Sequence, residues 1–340
     1  MSTRMTMADI SRLAGVSVST VSRALSGNPS IPVATRDRIF RIAAEHNYVM
    51  DFRAQNFRLQ RSQTIATVFP YVGESHRMIS DPFYMEIIGA ITDELDRYGY
   101  DMLVSRVRAD DDDWCLRYAQ NKRVDGVILI DRSLEDRGIE KLQELGANFV
   151  VWGPILDGQD YVSVGGNSVA GAAMAVRHLA LCGRRKIGFI GGNPNMVETY
   201  LRRQGYEKGL GDTGLLFDER LVIYTDFTPQ AAHHAITELL AREPEVDAVF
   251  LCSDFMSIAA MQVIHELGRR VPEDIAVIGY DDIQLAAHCN PRLTTIRQQI
   301  HEGGRLMVKK LFSLIEGEPT EATMLPIEVI VRDSCGATQR

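Results

Sequence analysis

Residue types that promise chemistry gather first in the segment SVSTVSRAL (17–25). Val18, Ser19, Ser22 and Arg23 fall on the outward side of a short helix whose inner positions are Val21, Ala24 and Leu25. Small hydroxyls can approach phosphate oxygens closely, an arginine can hold a guanine edge by two hydrogen bonds, and a valine methyl can touch a thymine methyl. That is chemistry for reading a duplex, not for breaking bonds. Elsewhere no GxSxG or HExxH spacing occurs. GFIGGNPN (188–195) is a glycine turn after a strand, but it lacks the GxGxxG order and the later acid of a dinucleotide site. The acidic run Asp110–Asp113 suits the solvated start of a helix better than a hard-cation site. His233 and His234 are adjacent, so on a helix they diverge, whereas a metal pair needs i, i+4 spacing. No metal, cofactor or enzymatic activity is expected.

Composition sets the frame. The chain has 340 residues, 45% apolar and 24% charged, enough for two or three packed domains and too apolar for a disordered chain. No run approaches the ~20 apolar residues of a membrane span. The opening MSTRMTMADISRLAG carries charges and no apolar stretch, so no secretory signal is expected. Five scattered cysteines without CxxC spacing suit reduced thiols in the cytoplasm. Charge is uneven: residues 1–62 hold nine arginines against four acids, a net of +5, and since the chain carries −8 the remainder carries −13. A basic head on an acidic body fits polyanion binding by the head.

Three short helices are predicted in the head. Thr6 and Asp9 have capping-box spacing before Ile10, Leu13 and Ala14, and Gly15 supplies the left-handed turn. Ser17 can cap the second helix, which Gly27-Asn28-Pro29 ends. The third runs from about Val33 to His46, with Ile39, Ile42 and Ala43 inward. Helix, glycine turn and second helix within about 20 residues is the helix-turn-helix format. A three-helix protein-interaction module is the alternative. Residues 49–62 are polar and arginine-rich, as in a linker that orders on a partner.

From Gln63 the texture changes. Apolar runs such as TIATVFPYV, VDGVILI, FVVWG, KIGFIGG, AVFLCS and IAVIGY alternate with amphipathic helices. Strands apolar on both faces imply parallel sheets covered by helices. Two such series, about 63–160 and 161–290, would enclose a cleft at their strand carboxyl ends. Trp152 ends FVVWG and so lies at such an edge.

TMADISRLAGVSVSTVSRALSG closely resembles the helix-turn-helix of the LacI/GalR (lactose-repressor) family of bacterial transcription regulators. The likeness continues through TRDRIFRIAAEHNY, DPFYMEII, VDGVILI, HLALCGRRKIGFIGG, LRRQGY, VIGYDD and LTTIRQ, in family order across nearly the whole chain. It implies an all-α helix-turn-helix head plus an α/β body, a two-lobed periplasmic-binding-protein-like fold with parallel sheets. The implied organisation is a DNA-binding domain at 1–48, a hinge at 49–62 and an effector-binding and dimerisation domain at 63–340. Within the last, lobe one takes about 63–160 and 292–322, and lobe two about 161–291 and 323–340. By position, Val18, Ser19 and Arg23 match the family's base readers, Thr20 and Ser22 its phosphate contacts, and Phe57 its minor-groove wedge. Asp81, Phe83 and Tyr84 match effector contacts of the first lobe, and Arg202, Phe227 and Asp281 those of the second; Ser253 and Asp254 are weaker candidates.

Aromatic faces suit sugar or nucleobase rings, and a carboxylate with a guanidinium suits vicinal hydroxyls. The resemblance therefore implies a homodimeric bacterial repressor that binds double-stranded operator DNA under the control of a small molecule, a sugar or sugar derivative. The chain departs from the family at the hinge, where Val49-Met50-Asp51-Phe52 follows Tyr48, at Pro32, at Gly153-Pro154 and at Gly166-Asn167. The ending RDSCGATQR carries no leucine heptads, which favours a dimer over a coiled-coil tetramer. The rivals are a solute-binding protein of a sugar transport system, which would require export, and a sugar-metabolising enzyme, which would require a catalytic motif.

Overall fold

In the head, local capping chemistry sets where each helix starts and stops. The computed structural model describes residues 5–25, 28–46, 48, 61–73, 77–111, 113–135 and 137–337. The chain divides into two units, Met1–Ser62 and Gln63–Arg340.

The first unit contains α1 (Met7–Ala14), α2 (Val18–Leu25) and α3 (Val33–Glu45). Thr6 caps α1 by the expected reciprocal box with Asp9, and Gly15 closes it in the left-handed region at φ 61°. The Ser17 hydroxyl accepts from the Thr20 amide at 3.2 Å, which starts α2. Pro32 precedes α3 and makes no side-chain cap. Ile10, Ala14, Val21, Ala24, Ile31, Ile39 and Ala43 form one small core between the three helices.

The second unit begins with β1 (Thr64–Tyr71), α4 (Pro82–Tyr98), β2 (Asp101–Arg108), β3 (Gly126–Leu129), α5 (Gly138–Glu144), β4 (Phe149–Trp152) and β5 (Ser163–Gly166). It continues with α6 (Ser168–Leu181), β6 (Ile187–Gly191), α7 (Val197–Asp212), β7 (Val222–Tyr224), α8 (Pro229–Arg242), β8 (Ala248–Leu251), α9 (Asp254–Glu266) and β9 (Ala276–Asp281). Last come β10 (Thr294–Arg297), α10 (Ile300–Ile315), β11 (Thr323–Leu325) and β12 (Glu328–Ile330).

Two six-stranded sheets result, in orders β11-β5-β4-β3-β1-β2 and β12-β10-β9-β8-β6-β7. All pairs are parallel except β10 with β12. The orders are equivalent, so each sheet reverses direction beside its first strand: β1 lies between β2 and β3, and β6 between β7 and β8. Open α/β sheets bind ligands at such switch points, beyond the strand carboxyl ends.

The crossings between sheets fall later in the chain than the expected lobe limits near 160, 291 and 322. Backbone pairing decides this. β5 bonds to β4 in the first sheet, β10 to β9 in the second, and β11 to β5 in the first. The chain therefore crosses after Gly166, after Arg297 and after Leu325. Helix α10 returns to the first sheet and packs on α4, β3 and β4.

Candidate functional site

On the head, Val18, Ser19 and Arg23 are exposed, while Thr20 and Ser22 are half-buried. Val21 and Ala24 face the core. Arg23 Nε donates to the Ser19 carbonyl at 3.3 Å, which lays the guanidinium along the outer face of α2. Thr20 Oγ1 and Ser19 Oγ lie 2.8 and 2.9 Å from Ser17 Oγ, so the three hydroxyls cluster at the start of α2. Backbone amides and hydroxyls at a helix start make a favourable phosphate seat. Phe57 and the hinge around it lie outside the described residues.

In the second unit, a cleft with about 940 Å³ of atom-free space, part of it open to solvent, lies beyond the carboxyl ends of both sheets. From the first sheet it takes Phe69–Tyr71 at the end of β1, Val72 and Gly73 beyond it, Arg77, Phe83 and Tyr84 at the start of α4, Asp131 after β3 and Trp152 at the end of β4. From the second it takes Asn193 after β6, Glu198 and Arg202 on α7, Asp226 and Phe227 after β7, and Asp281 at the end of β9.

An aromatic wall forms one side. The rings of Phe83 and Trp152 lie 6.0 Å apart, and those of Phe69 and Tyr84 meet edge-on at 4.7 Å. Arg77 joins the two lobes: its guanidinium lies 4.1 Å from the Tyr84 ring centre and 4.5 Å from that of Phe227. It also donates to Asp81 at 2.9 Å and reaches Asp131 at 3.4 Å. The Tyr84 hydroxyl donates to Asp131. The lobes touch again where the Val197 amide donates to the Arg132 carbonyl at 3.0 Å.

A buried charge cluster also borders the cleft. Arg202 stacks on Tyr280 at 3.8 Å, donates to the Cys252 carbonyl at 2.6 Å and stands 3.9 Å from Asp281. Asp281 accepts from Gln298 at 2.8 Å. Burial, then the Asp131 charge, push the Glu198 carboxyl up to about 7, although Arg132 and Arg202 oppose this. Burial also pushes Asp281 up to about 7, against the pull of Arg202 and Arg77. Among the described residues, neither Glu198 oxygen meets a side-chain or backbone donor in hydrogen-bonding geometry, and neither does Arg202 Nε find an acceptor. Polar groups this deeply placed are normally paired, and the wall shields these atoms from solvent, so a ligand reaches them only when the wall opens.

Backbone strain gathers at the same place. Asp131, Phe227 and Asp281 all have positive φ, at 69°, 65° and 122°. Each such residue costs on the order of 1–3 kcal/mol and persists where its surroundings enforce it, often at ligand sites. Phe227 is held by its neighbour: a Cβ on Gly192 would lie 1.7 Å from the Phe227 ring, so only glycine admits this ring position.

Phe83, Tyr84, Trp152, Arg202, Phe227 and Asp281 are thus brought together, whereas Asp81 and Asp254 are not among the residues lining this cleft. Asp81 caps α4, accepting from the Phe83 amide at 3.0 Å, and anchors Arg77. Asp254 is fully buried and accepts from the Ile283 amide at 3.0 Å and from the Thr295 hydroxyl. Both act behind the cleft wall. Sequence reasoning missed Arg77, Asp131 and Glu198. For Asp131 a signal existed, an acid directly after the apolar strand VILI; Arg77 and Glu198 follow loops and carry no periodic cue.

Residues 6–51 match the family model described as bacterial regulatory proteins, lacI family, and residues 176–335 match the periplasmic binding protein-like domain. The HTH-type transcriptional regulator CelR of Thermobifida fusca is 36% identical over 337 residues, spanning 97% of this chain and 98% of that protein. A solved complex of a transcriptional regulator CelR with cellobiose is 34% identical, with a TM-score of 0.72 over 97% of this chain and 100% of that one. The lac repressor dimer bound to operator and the anti-inducer ONPF is 25% identical, with a TM-score of 0.85 over 98% and 100%.

Proposed function

Because the chain belongs to the lacI family of bacterial regulatory proteins, a family of DNA-binding transcription regulators, we propose that it is a repressor whose grip on an operator is set by an uncharged sugar in the cleft between its two sheets. The head supplies the grip. Val18, Ser19 and Arg23 contact base edges, Thr20 and Ser22 contact phosphates, and Phe57 wedges the minor groove. Two heads of a cytoplasmic homodimer occupy two half-sites. The protein catalyses no reaction.

The single observation that carries the sugar reading is the makeup of the cleft. An aromatic wall of Phe83 and Trp152, with Phe227 from the second sheet, and a charged wall of Glu198 and Arg202 line one cleft. Sugar rings present an apolar face and a rim of hydroxyls, which match these two walls. The lining acids Asp131, Glu198, Asp226 and Asp281 balance the arginines Arg77, Arg106 and Arg202, so no positive field invites a phosphate. The relative solved with cellobiose supports a β-linked glucose disaccharide as the first ligand to try.

The ligand acts by its differential affinity for two lobe arrangements. Arg77 couples it to both lobes, because the same guanidinium meets Tyr84 of one and Phe227 of the other. The alternative of a transport solute-binding protein leaves the basic helix-turn-helix without a role.

Calorimetry with cellobiose, glucose and glucose 6-phosphate tests the reading, together with anisotropy on promoter fragments. Binding of a neutral sugar with a change in DNA affinity is expected. A protein that binds only the phosphosugar, or whose DNA affinity ignores every bound sugar, would overturn it.

A further inference from the structure

A second cluster lies at the far side of the second sheet from the cleft. The cleft sits beyond the strand carboxyl ends, whereas this cluster sits by the amino ends of β9 and β10. There the Ser334 hydroxyl donates to the Val277 carbonyl at 2.7 Å and accepts from the Thr294 amide at 2.9 Å. These bonds pin the segment after β12. They also place the neighbouring Cys335 against α6.

Three soft donors converge at this point. His178 lies in the last turn of α6 and Cys182 is its C-cap, so the i, i+4 spacing puts both on one face. One ligand atom each from His178, Cys182 and Cys335 lies within 4.8 Å of the other two. His178 Nε2 and Cys182 Sγ are 3.7 Å apart. Zinc bonds of about 2.3 Å to sulfur and about 2.0 Å to nitrogen place neighbouring tetrahedral ligands roughly 3.5–3.8 Å apart. Small side-chain adjustments therefore bring all three onto one ion.

Hydrogen-bond donors surround the Cys335 sulfur. Cys335 is fully buried, and its Sγ accepts from the Thr294 hydroxyl at 3.2 Å and the Ala337 amide at 3.5 Å. Such donors to a ligating sulfur orient it and tune its basicity. Two thiols this close can both lose their protons when a divalent cation binds between them. His178 and Cys182 are half-buried, which leaves an entry path. Arg184 donates to the carbonyls of Asp247 and Pro272, and its guanidinium lies beside Gly336, next to the site.

We propose that His178, Cys182 and Cys335 form a binding site for one thiophilic divalent cation, zinc by the match of its donor set, with water in the fourth position. Binding exchanges two thiol protons for one divalent ion and leaves the site neutral. The ion would tie the segment after β12 to the helix that follows the first crossing between sheets.

Titration of the reduced full-length protein with cobalt(II), followed by zinc, tests this. Saturation near one equivalent is expected, with sulfur-to-cobalt charge-transfer absorption and the ligand-field bands of a four-coordinate ion. Zinc should bleach both, release about two protons per ion and raise the Tm. Cys182→Ser is half-buried and folds readily; it should lose most of the charge-transfer band. His178→Gln should weaken apparent affinity by about tenfold or more. Cys289→Ser, elsewhere in the fold, should change nothing. Because Cys335 is buried, Cys335→Ser is judged beside its circular dichroism spectrum, and Cys182→Ser carries the test alone if it unfolds. The absence of sulfur-to-cobalt absorption in the wild-type protein, or its full retention in Cys182→Ser, would overturn the proposal.

Discussion

Glu198 and Asp281 face the cleft with carboxyls held up to about 7 by burial, far above the ordinary 4.5 and 3.8. Between those ordinary values and about 7 the folded protein keeps protons that the unfolded chain has already lost. Stability therefore falls as pH rises through this window and levels above about 7. Thermal melts across the window should show that slope, and Glu198→Gln should flatten it; an unchanged slope would mean that Glu198 is ionised throughout. At the head, Arg23 is exposed on α2 and tethered to the Ser19 carbonyl. Arg23→Ala should weaken specific operator binding by ~1–3 kcal/mol and leave random-sequence DNA nearly unaffected. An equal loss on both in anisotropy titrations would assign Arg23 to phosphate.

At the scale of elements, the head and the cleft depend on different kinds of packing. The head's core consists of a few small apolar side chains across three helices, with Ile39 fully buried at its centre. Ile39→Ala should cost ~2–5 kcal/mol, a large share of what so small a unit has to lose. DNA binding should collapse in band-shift assays while calorimetry still detects the cleft ligand. Persistent DNA binding would show that the head draws stability from elsewhere. In the cleft, the turn after β6 and the turn after β7 meet through Gly192 and Phe227. Gly192→Ala should expel the ring and weaken sugar binding without changing the far-ultraviolet dichroism. Unchanged affinity would remove Phe227 from the binding wall.

At the scale of the whole molecule, the two sheets share three crossings and several bridges across the cleft, Arg77 among them. A ligand that favours one lobe arrangement should shift operator affinity by about 5- to 150-fold, the usual ~1–3 kcal/mol of coupling. Arg77→Met keeps the stem and removes the charge, so it should reduce that coupling more than it reduces sugar affinity. Sugar titrations at fixed operator would measure both, and equal losses would make Arg77 a simple contact. Sedimentation should find a dimer; a stable tetramer would refute the assembly proposed above.

Much of this was legible in the sequence because it is local. Caps at Thr6 and Ser17, the turn at Gly15 and the apolar strands act over a few residues, and the family resemblance covers nearly the whole chain. The four strands at the crossings were not legible: SVGG (163–166) carries two glycines, and the others are only three or four residues long. They are strands because neighbouring chains complete their hydrogen bonds, a property of the pair and not of the segment. Likewise, the identity of Asp81, Arg202, Phe227 and Asp281 as candidates came from the sequence, but their roles did not. Whether a carboxylate lines a cleft, as Asp281 does, or braces a helix, as Asp81 does, depends on which atoms from distant segments surround it. Those contacts exist only once the two sheets have closed on each other.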